Sequence, residues 1–307
     1  MNYKKFIKSR SLRIKIMRLL SFLPDKIIVS LQYRLKTKRK LNLEHPKRYT
    51  EKLQWYKLYY KDPLMGKCAD KYEVRNYVVS KGCSNILVPI LGIYNSAHDI
   101  NFDTLPNSFV LKDTLGGGGN SVIIVKDKSK ENFDKIRNQI QKWIKKTKGK
   151  HPGREWVYDN KQNRIIIEEY LESNENEGGL IDYKFFCFNG KVEYVYGIAD
   201  RTLGSAIGLG IFDSNFNLLP YKRVDENSLA RIIEKPKNYE QMVKYAEVLS
   251  KDFPHARIDL YNQKGKIYFG EITFFDGSGY MCFEPDDFDY IIGDKFLLPV
   301  NIKEEVV

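Results

Sequence analysis

The sequence predicts an α+β protein in which two α/β lobes follow a basic helical segment. Three observations predict it. Four successive glycines separate two short strand patterns, two carboxylates stand inside the apolar strands of a late hairpin, and nearly all the excess positive charge lies in the first 52 of 307 residues.

The N-terminal segment, residues 1–62, reads as helical to about Tyr60, with Pro63 as punctuation. It holds the apolar stretches Ile14–Leu23 and Ile27–Arg34, interrupted by Pro24. The first lobe, residues 63–172, contains an amphipathic stretch at Lys71, the strand Phe109–Lys112, a loop from Asp113 to Asn120 and the strand Ser121–Val125. A basic helix from Glu131 to Lys146 and a strand from Arg164 to Leu171 complete it. Ser173–Gly179 is polar and ends in glycines, as a lobe junction would. The second lobe, residues 173–307, alternates strands at Asp182–Phe188, Lys191–Ile198 and Leu209–Asp213 with a helix from Tyr239 to Lys251. The hairpin Ala256–Tyr261 and Lys266–Thr273 follows, turning at Asn262–Gly265.

Charge narrows the partners. Residues 1–52 carry sixteen Lys and Arg against three Asp and Glu, whereas the remaining 255 carry thirty-five against thirty-six. No stretch is long enough to span a bilayer, and the charges lacing the first one do not read as a cleaved signal peptide. A basic amphipathic pair suits the inner membrane surface; packing of the same apolar faces on the catalytic lobes is the alternative. No nucleic-acid motif accompanies the basic segment. Cys68, Cys83, Cys187 and Cys282 lack metal spacing and read as reduced packing residues of a cytoplasmic protein; His45, His98, His151 and His255 read as surface or turn residues.

The chemistry concentrates in the two strand pairs. Gly116, Gly117, Gly118, Gly119 and Asn120 form a loop whose backbone N–H groups can approach a polyphosphate closely, and Lys112 adds a full charge beside it. No Gly-Lys-Ser/Thr follows, so this is not a P-loop. Asp259 and Glu271 repel one another inside apolar strands, so either a shared Mg²⁺ or the neighbouring cations, Arg257 among them, must neutralise them. Neither a Gly-x-Ser-x-Gly elbow nor a Cys–His motif supplies a nucleophile.

In this order the parts resemble the ATP-grasp superfamily, a nucleotide-sandwiching pair of lobes. Several segments are similar to its TupA-like branch, which is associated with teichuronopeptide and other bacterial surface polysaccharides. They are Tyr49–Trp55, Cys68–Tyr72, Phe109–Asn120, Gly153–Trp156, Asp182–Gly190 and Gly270–Gly279, reaching from about residue 40 almost to the C-terminus.

The resemblance implies ATP and Mg²⁺ as cofactors. Lys71 and Lys112 match the phosphate-directed lysines and Gly116–Asn120 the phosphate lid. Glu168, Glu169, Tyr170 and Leu171 match the adenine hinge, with either glutamate able to face the base. Lys184 and Arg257 would add charge at the reacting phosphoryl group, Asp259 and Glu271 would hold the metal, and the backbone at Ser278 and Gly279 would approach the reacting carboxylate. One position departs: where the family often reads Glu-x-Asn, this chain has Glu271-Ile272-Thr273, a weaker neutral ligand.

The implied activity is carboxylate–amine ligation through an acyl phosphate, joining small-molecule or glycan substrates in surface-polysaccharide synthesis. Two rivals are a sugar kinase using the same ATP site and a glycosyltransferase, for which Asp287-Phe288-Asp289 has the Asp-x-Asp look. That acidic cluster also reads as a helix start. Arg154 is expected either to orient a substrate or to pair with Glu155 beside a packed Trp156.

Overall fold

The computed structural model describes residues 20–117, 121–144, 149–172, 180–199 and 208–299. Among the described residues four α-helices come first: α1 (Asp25–Thr37), α2 (Tyr49–Tyr59), α3 (Pro63–Cys68) and α4 (Val74–Ser80). Proline at the first position of α3 forfeits no hydrogen bond, and the Asp62 side chain caps the Leu64 amide at 2.8 Å. The N-terminal half of the first apolar stretch, Ile14 to Leu19, lies outside the described residues.

A four-stranded antiparallel sheet follows, built from β1 (Ile90–Tyr94), β2 (Phe109–Asp113), β3 (Val122–Val125) and β4 (Ile165–Glu169) in the order β1-β4-β2-β3. Its helix α5 (Phe133–Gln141) is shorter than the basic helix expected over 131–146. It starts where Asn132 caps the Lys135 amide at 2.9 Å and ends as the Trp143 amide tightens onto the Ile140 carbonyl at 2.8 Å. Phe109, Leu111, Ile136, Ile140, Ile165 and Ile167 make the core between sheet and helix.

The second sheet uses β5 (Asp182–Phe188), β6 (Lys191–Ala199), β7 (Gly208–Asp213), β9 (Asn227–Ser228), β10 (His255–Gln263) and β11 (Lys266–Thr273). Its order is β11-β10-β5-β6-β7-β9; β8 (Lys222–Arg223) pairs instead with β12 (Phe283–Glu284). The β10–β11 turn needs only two residues, Lys264 and Gly265, both at positive φ, which suits the twist of the flanking strands. Every residue of the central strand β5 is buried. Helix α6 (Tyr239–Ser250) covers β5, β6 and β10, while α7 (Phe288–Lys295) packs on α2. The large core here also takes in Tyr49, Leu53, Met65, Cys68, Val74 and Val78 from α2, α3 and α4. Helices α2, α3 and α4 are therefore built onto the second sheet's hydrophobic mass.

His255 corrects the sequence reading. It starts β10 fully buried, between the Tyr49 hydroxyl and the Cys187 carbonyl, both at 2.9 Å, and burial lowers its pKa to about 4. Its strand partner Phe188 ends β5, and the rings of Tyr49, Phe188 and Phe296 close around the imidazole, which buries it.

Candidate active site

Strand register assembles the charged side chains. Lys184 on β5 lies opposite Asp259 on β10, and Asp259 lies opposite Glu271 on β11, so three adjacent strands present these groups on one face. Arg257 shares that face two residues back, opposite Thr273. A bulge between Asp259 and Leu260 leaves Gly270 as the extra residue. A Cβ on Gly270 would stand 3.0 Å from the Asp259 carbonyl oxygen, so glycine permits the bulge that keeps Glu271 beside Asp259 while Phe269 faces the core.

Arg257 grips Asp259 with two bonds, Nε to Oδ1 and Nη2 to Oδ2, each 2.7 Å. Its Nη2 also reaches Thr273 Oγ1 at 3.1 Å and lies 3.4 Å from Glu271. Lys184 bonds Asp259 as well and stands 2.8 Å from Asp182. Behind them Asp276, which sequence reasoning missed, accepts from Arg257 Nη1 and lies 3.7 Å from Arg223. Burial would lower the Lys184 pKa, but Asp182 and Asp259 outweigh it and raise it. Burial would raise Glu271, but Lys71, Lys184 and Arg257 together hold it at about 2. The same balance, set by Arg257 and Arg223 against burial, lowers Asp276.

The facing wall comes from the first sheet and the approach to α4. Lys71 lies 3.2 Å from Glu271, bonds the Gly116 carbonyl, and is anchored through its own amide to the Thr114 carbonyl at 2.9 Å. Lys112 pairs with Glu168 at 2.6 Å, and Arg75 approaches the same carboxylate at 3.4 Å. Glu168 is buried and Glu169 exposed, so the strand turns only the first toward Lys112. Tyr170 and Leu171 follow the strand half-buried. At Gly116 a Cβ would come within 2.7 Å of Ser121 Cβ, which explains glycine at the start of the tight loop; Gly117 meets nothing. Gly118, Gly119 and Asn120 lie outside the described residues.

The TupA-like ATPgrasp family model matches residues 51–297. The chain belongs to the TupA-like ATP-grasp family. No curated protein matches it closely enough to count as a relative. Among solved structures it is similar to a D-alanine–D-alanine ligase from Bacillus anthracis, at 22% identity and TM-score 0.43, over 68% of this chain and 57% of that one. A D-alanine–D-alanine ligase from Helicobacter pylori is 15% identical with TM-score 0.40, over 76% and 61%. An L-amino acid ligase from Bacillus licheniformis is 14% identical with TM-score 0.41, over 70% and 42%. The chain thus spans between about two-fifths and three-fifths of these ligases' lengths, and the family assignment rests on the family match.

In this ATP-grasp chain the turn after β11 is bound more tightly than the sequence suggested. Gly277, Ser278 and Gly279 all have positive φ, at 50°, 56° and 70°. Gln54 and Lys57 of α2 donate to the Ser278 carbonyl at 3.0 and 2.8 Å, and the Ser278 hydroxyl donates to Glu155. Glu155 is thereby a second residue that sequence reasoning missed as a site neighbour. Arg154 is buried and turned to the start of α1: it donates to the Leu20 carbonyl at 3.0 Å and lies 3.3 Å from Asp25, tying the loop to that helix. Lys57 is fully buried, and that burial lowers its pKa to about 7.

Among the described residues no group of three or more His, Cys, Asp or Glu gathers as a metal site. Mg²⁺ held with a nucleotide needs only one or two carboxylates, because phosphates and water complete its shell. Asp259 and Glu271, opposite one another with the Thr273 hydroxyl alongside, fit that donor set.

The glycosyltransferase motif dissolves into structure. Asp289 is fully buried, accepting from the Thr50 amide at 3.0 Å and its hydroxyl at 2.8 Å, with Arg39 and Arg48 within 3.5 Å. It joins α7 to α2.

Proposed function

We propose that this chain is an ATP-dependent ligase that joins a carboxylate to an amine. One observation carries the reading: Lys184, Asp259 and Glu271 stand in register on three strands, with Lys71 reaching Glu271 from the opposite wall. The lysines are paired with carboxylates; a polyanion would take the lysines and its metal the carboxylates. In this reading Lys71 and Lys112 take the nucleotide phosphates, and Gly116–Asn120 covers them. Glu168 and the backbone through Leu171 read adenosine. Asp259 and Glu271 would hold Mg²⁺, which would draw charge from the transferring phosphoryl group.

The substrate carboxylate attacks the γ-phosphorus, the bond to ADP breaks, and an acyl phosphate forms. The amine attacks the acyl carbon, phosphate leaves, and the amine's proton passes to solvent. Lys184 and Arg257 stabilise the negative charge in flight, and positioning replaces a covalent nucleophile. The Ser278–Gly279 turn would shape the acyl end.

Family membership supports placing the acid, a uronic or amino acid, in bacterial capsule or surface-polysaccharide synthesis, on the cytoplasmic side near the membrane's inner face. The test is product analysis with panels of carboxylates and amines. Ligation yields ADP, phosphate and an amide; ADP with a phosphorylated sugar and no free phosphate would instead identify a kinase.

A further inference from the structure

Helix α1 has two apolar faces, and among the described residues one is buried and the other exposed. Ile28, Val29 and Tyr33 are fully buried; Tyr33 meets Thr50 Oγ1 at 2.9 Å, and Gln32 donates to the Pro152 carbonyl at 2.9 Å while accepting from Tyr280 at 2.7 Å. The helix is therefore fixed to the body of the molecule. On its other side Ile27, Leu31 and Leu35, at helical spacing, are 52%, 47% and 41% exposed, and Phe22 just before the helix is 78% exposed. Arg34 and Lys38 fall on this same face, with Lys26 beside it, and all three are exposed.

The acidic counterpart is missing from that face. Asp25 is the one carboxylate among residues 20–40, and it is engaged by Lys150 at 2.7 Å and Arg154 at 3.3 Å. Ahead of it, residues 1–19 contain seven Lys and Arg and no acid. An apolar stripe bordered by cations complements a surface that is negative outside and apolar beneath. At thirteen residues α1 is too short to span a bilayer, and no helix among the described residues is long and apolar enough to do so.

We propose that the outward face of α1 docks this protein on an anionic phospholipid bilayer. The helix lies in the interface plane, inserting Phe22, Ile27, Leu31 and Leu35 shallowly, while Lys26, Arg34 and Lys38 meet the headgroups. The body of the molecule, anchored to the opposite face of α1, then sits over the surface. This extends the membrane-side placement proposed above and stands apart from the ATP chemistry, which the Mg-ATP thermal shift reads separately.

The test is co-sedimentation of the full chain with vesicles of phosphatidylglycerol and phosphatidylcholine, and with phosphatidylcholine alone, alongside circular dichroism of each variant. The expected result is partitioning onto the anionic vesicles that weakens with salt. Leu31→Ser/Leu35→Ser should reduce it about tenfold or more. Lys26→Gln/Arg34→Gln should reduce it about fivefold per charge removed. Three results would overturn the proposal: no partitioning, partitioning equal to the parent's by both folded variants, or a dimer in light scattering that the serine variant dissociates, which would assign the stripe to a second copy.

Discussion

Glu271 sits in the field of Lys71 from the facing wall and of Arg257 and Lys184 from its own sheet, so changing its charge should change function more than fold. Glu271→Gln is expected to cut Mg-ATP turnover by more than about a hundredfold while leaving the circular dichroism spectrum unchanged, as ADP release assays would read. Turnover retained in the folded variant would remove Glu271 from the metal site. Lys57 makes a different prediction. Its folded pKa, about 7, lies below the ordinary lysine value of 10.5, so the unfolded chain binds more protons between those limits. Its contribution to stability should therefore rise from pH 7 towards pH 10, by at most about 1.4 kcal/mol per pH unit. Urea titrations should show this rise in the parent and lose it in Lys57→Met. At this scale the sequence marks residues whose chemistry is conspicuous in its local pattern: Lys112 ending a strand before glycines, Asp259 and Glu271 inside apolar runs. It does not mark Asp276 or Glu155, whose roles come from partners at Arg257, Arg223 and Ser278 that strand and turn geometry bring near.

Elements meet at a few close contacts that specific residues make possible. Gly293 of α7 faces the chain entering α2, where an added Cβ would come within 2.8 Å of the Tyr49 amide. Backbone cannot yield as a side-chain tip can, so Gly293→Ala should cost about 3 kcal/mol in denaturant unfolding. Asp289 secures the same junction with two bonds to Thr50 and two arginines. Asp289→Ala leaves the Thr50 amide and both guanidinium groups short of a partner and should cost about 3 kcal/mol by the same measurement. Both losses would arise outside the candidate site, so Mg-ATP affinity at low temperature should stay near that of the parent. Strand patterns were legible because alternation and apolar runs are local, as in Asp182–Phe188. Helix α5 ends at Gln141 although the basic pattern continues, because the backbone tightens there; residues 145 and 146 of the expected helix lie outside the described residues.

For the molecule as a whole, the two walls of the candidate site are joined by the Lys71–Glu271 ion pair. A ligand that binds the folded form stabilises it in proportion to the logarithm of its concentration. Mg-ATP at about a hundred times its dissociation constant should add about 2.7 kcal/mol, seen as a rise in Tm. Lys112→Ala should abolish most of that rise, whereas a rise only with nucleotide sugars would overturn the ATP reading.

Taken by itself, the chain's covalent order determined the family and the two strand systems, and it marked Lys71, Lys112, the Glu168–Glu169 pair, Lys184, Asp259 and Glu271 as candidates, because each is announced by neighbours within a few positions. Only the tertiary structure decided which of Glu168 and Glu169 turns inward, that Arg154 turns to the start of α1, that Asp289 is a buried joint, and that one apolar face of α1 is exposed among the described residues. Those outcomes depend on which distant backbone arrives alongside. Side-chain partners separated by a hundred or more residues are selected by sheet register and helix packing, which no local pattern encodes.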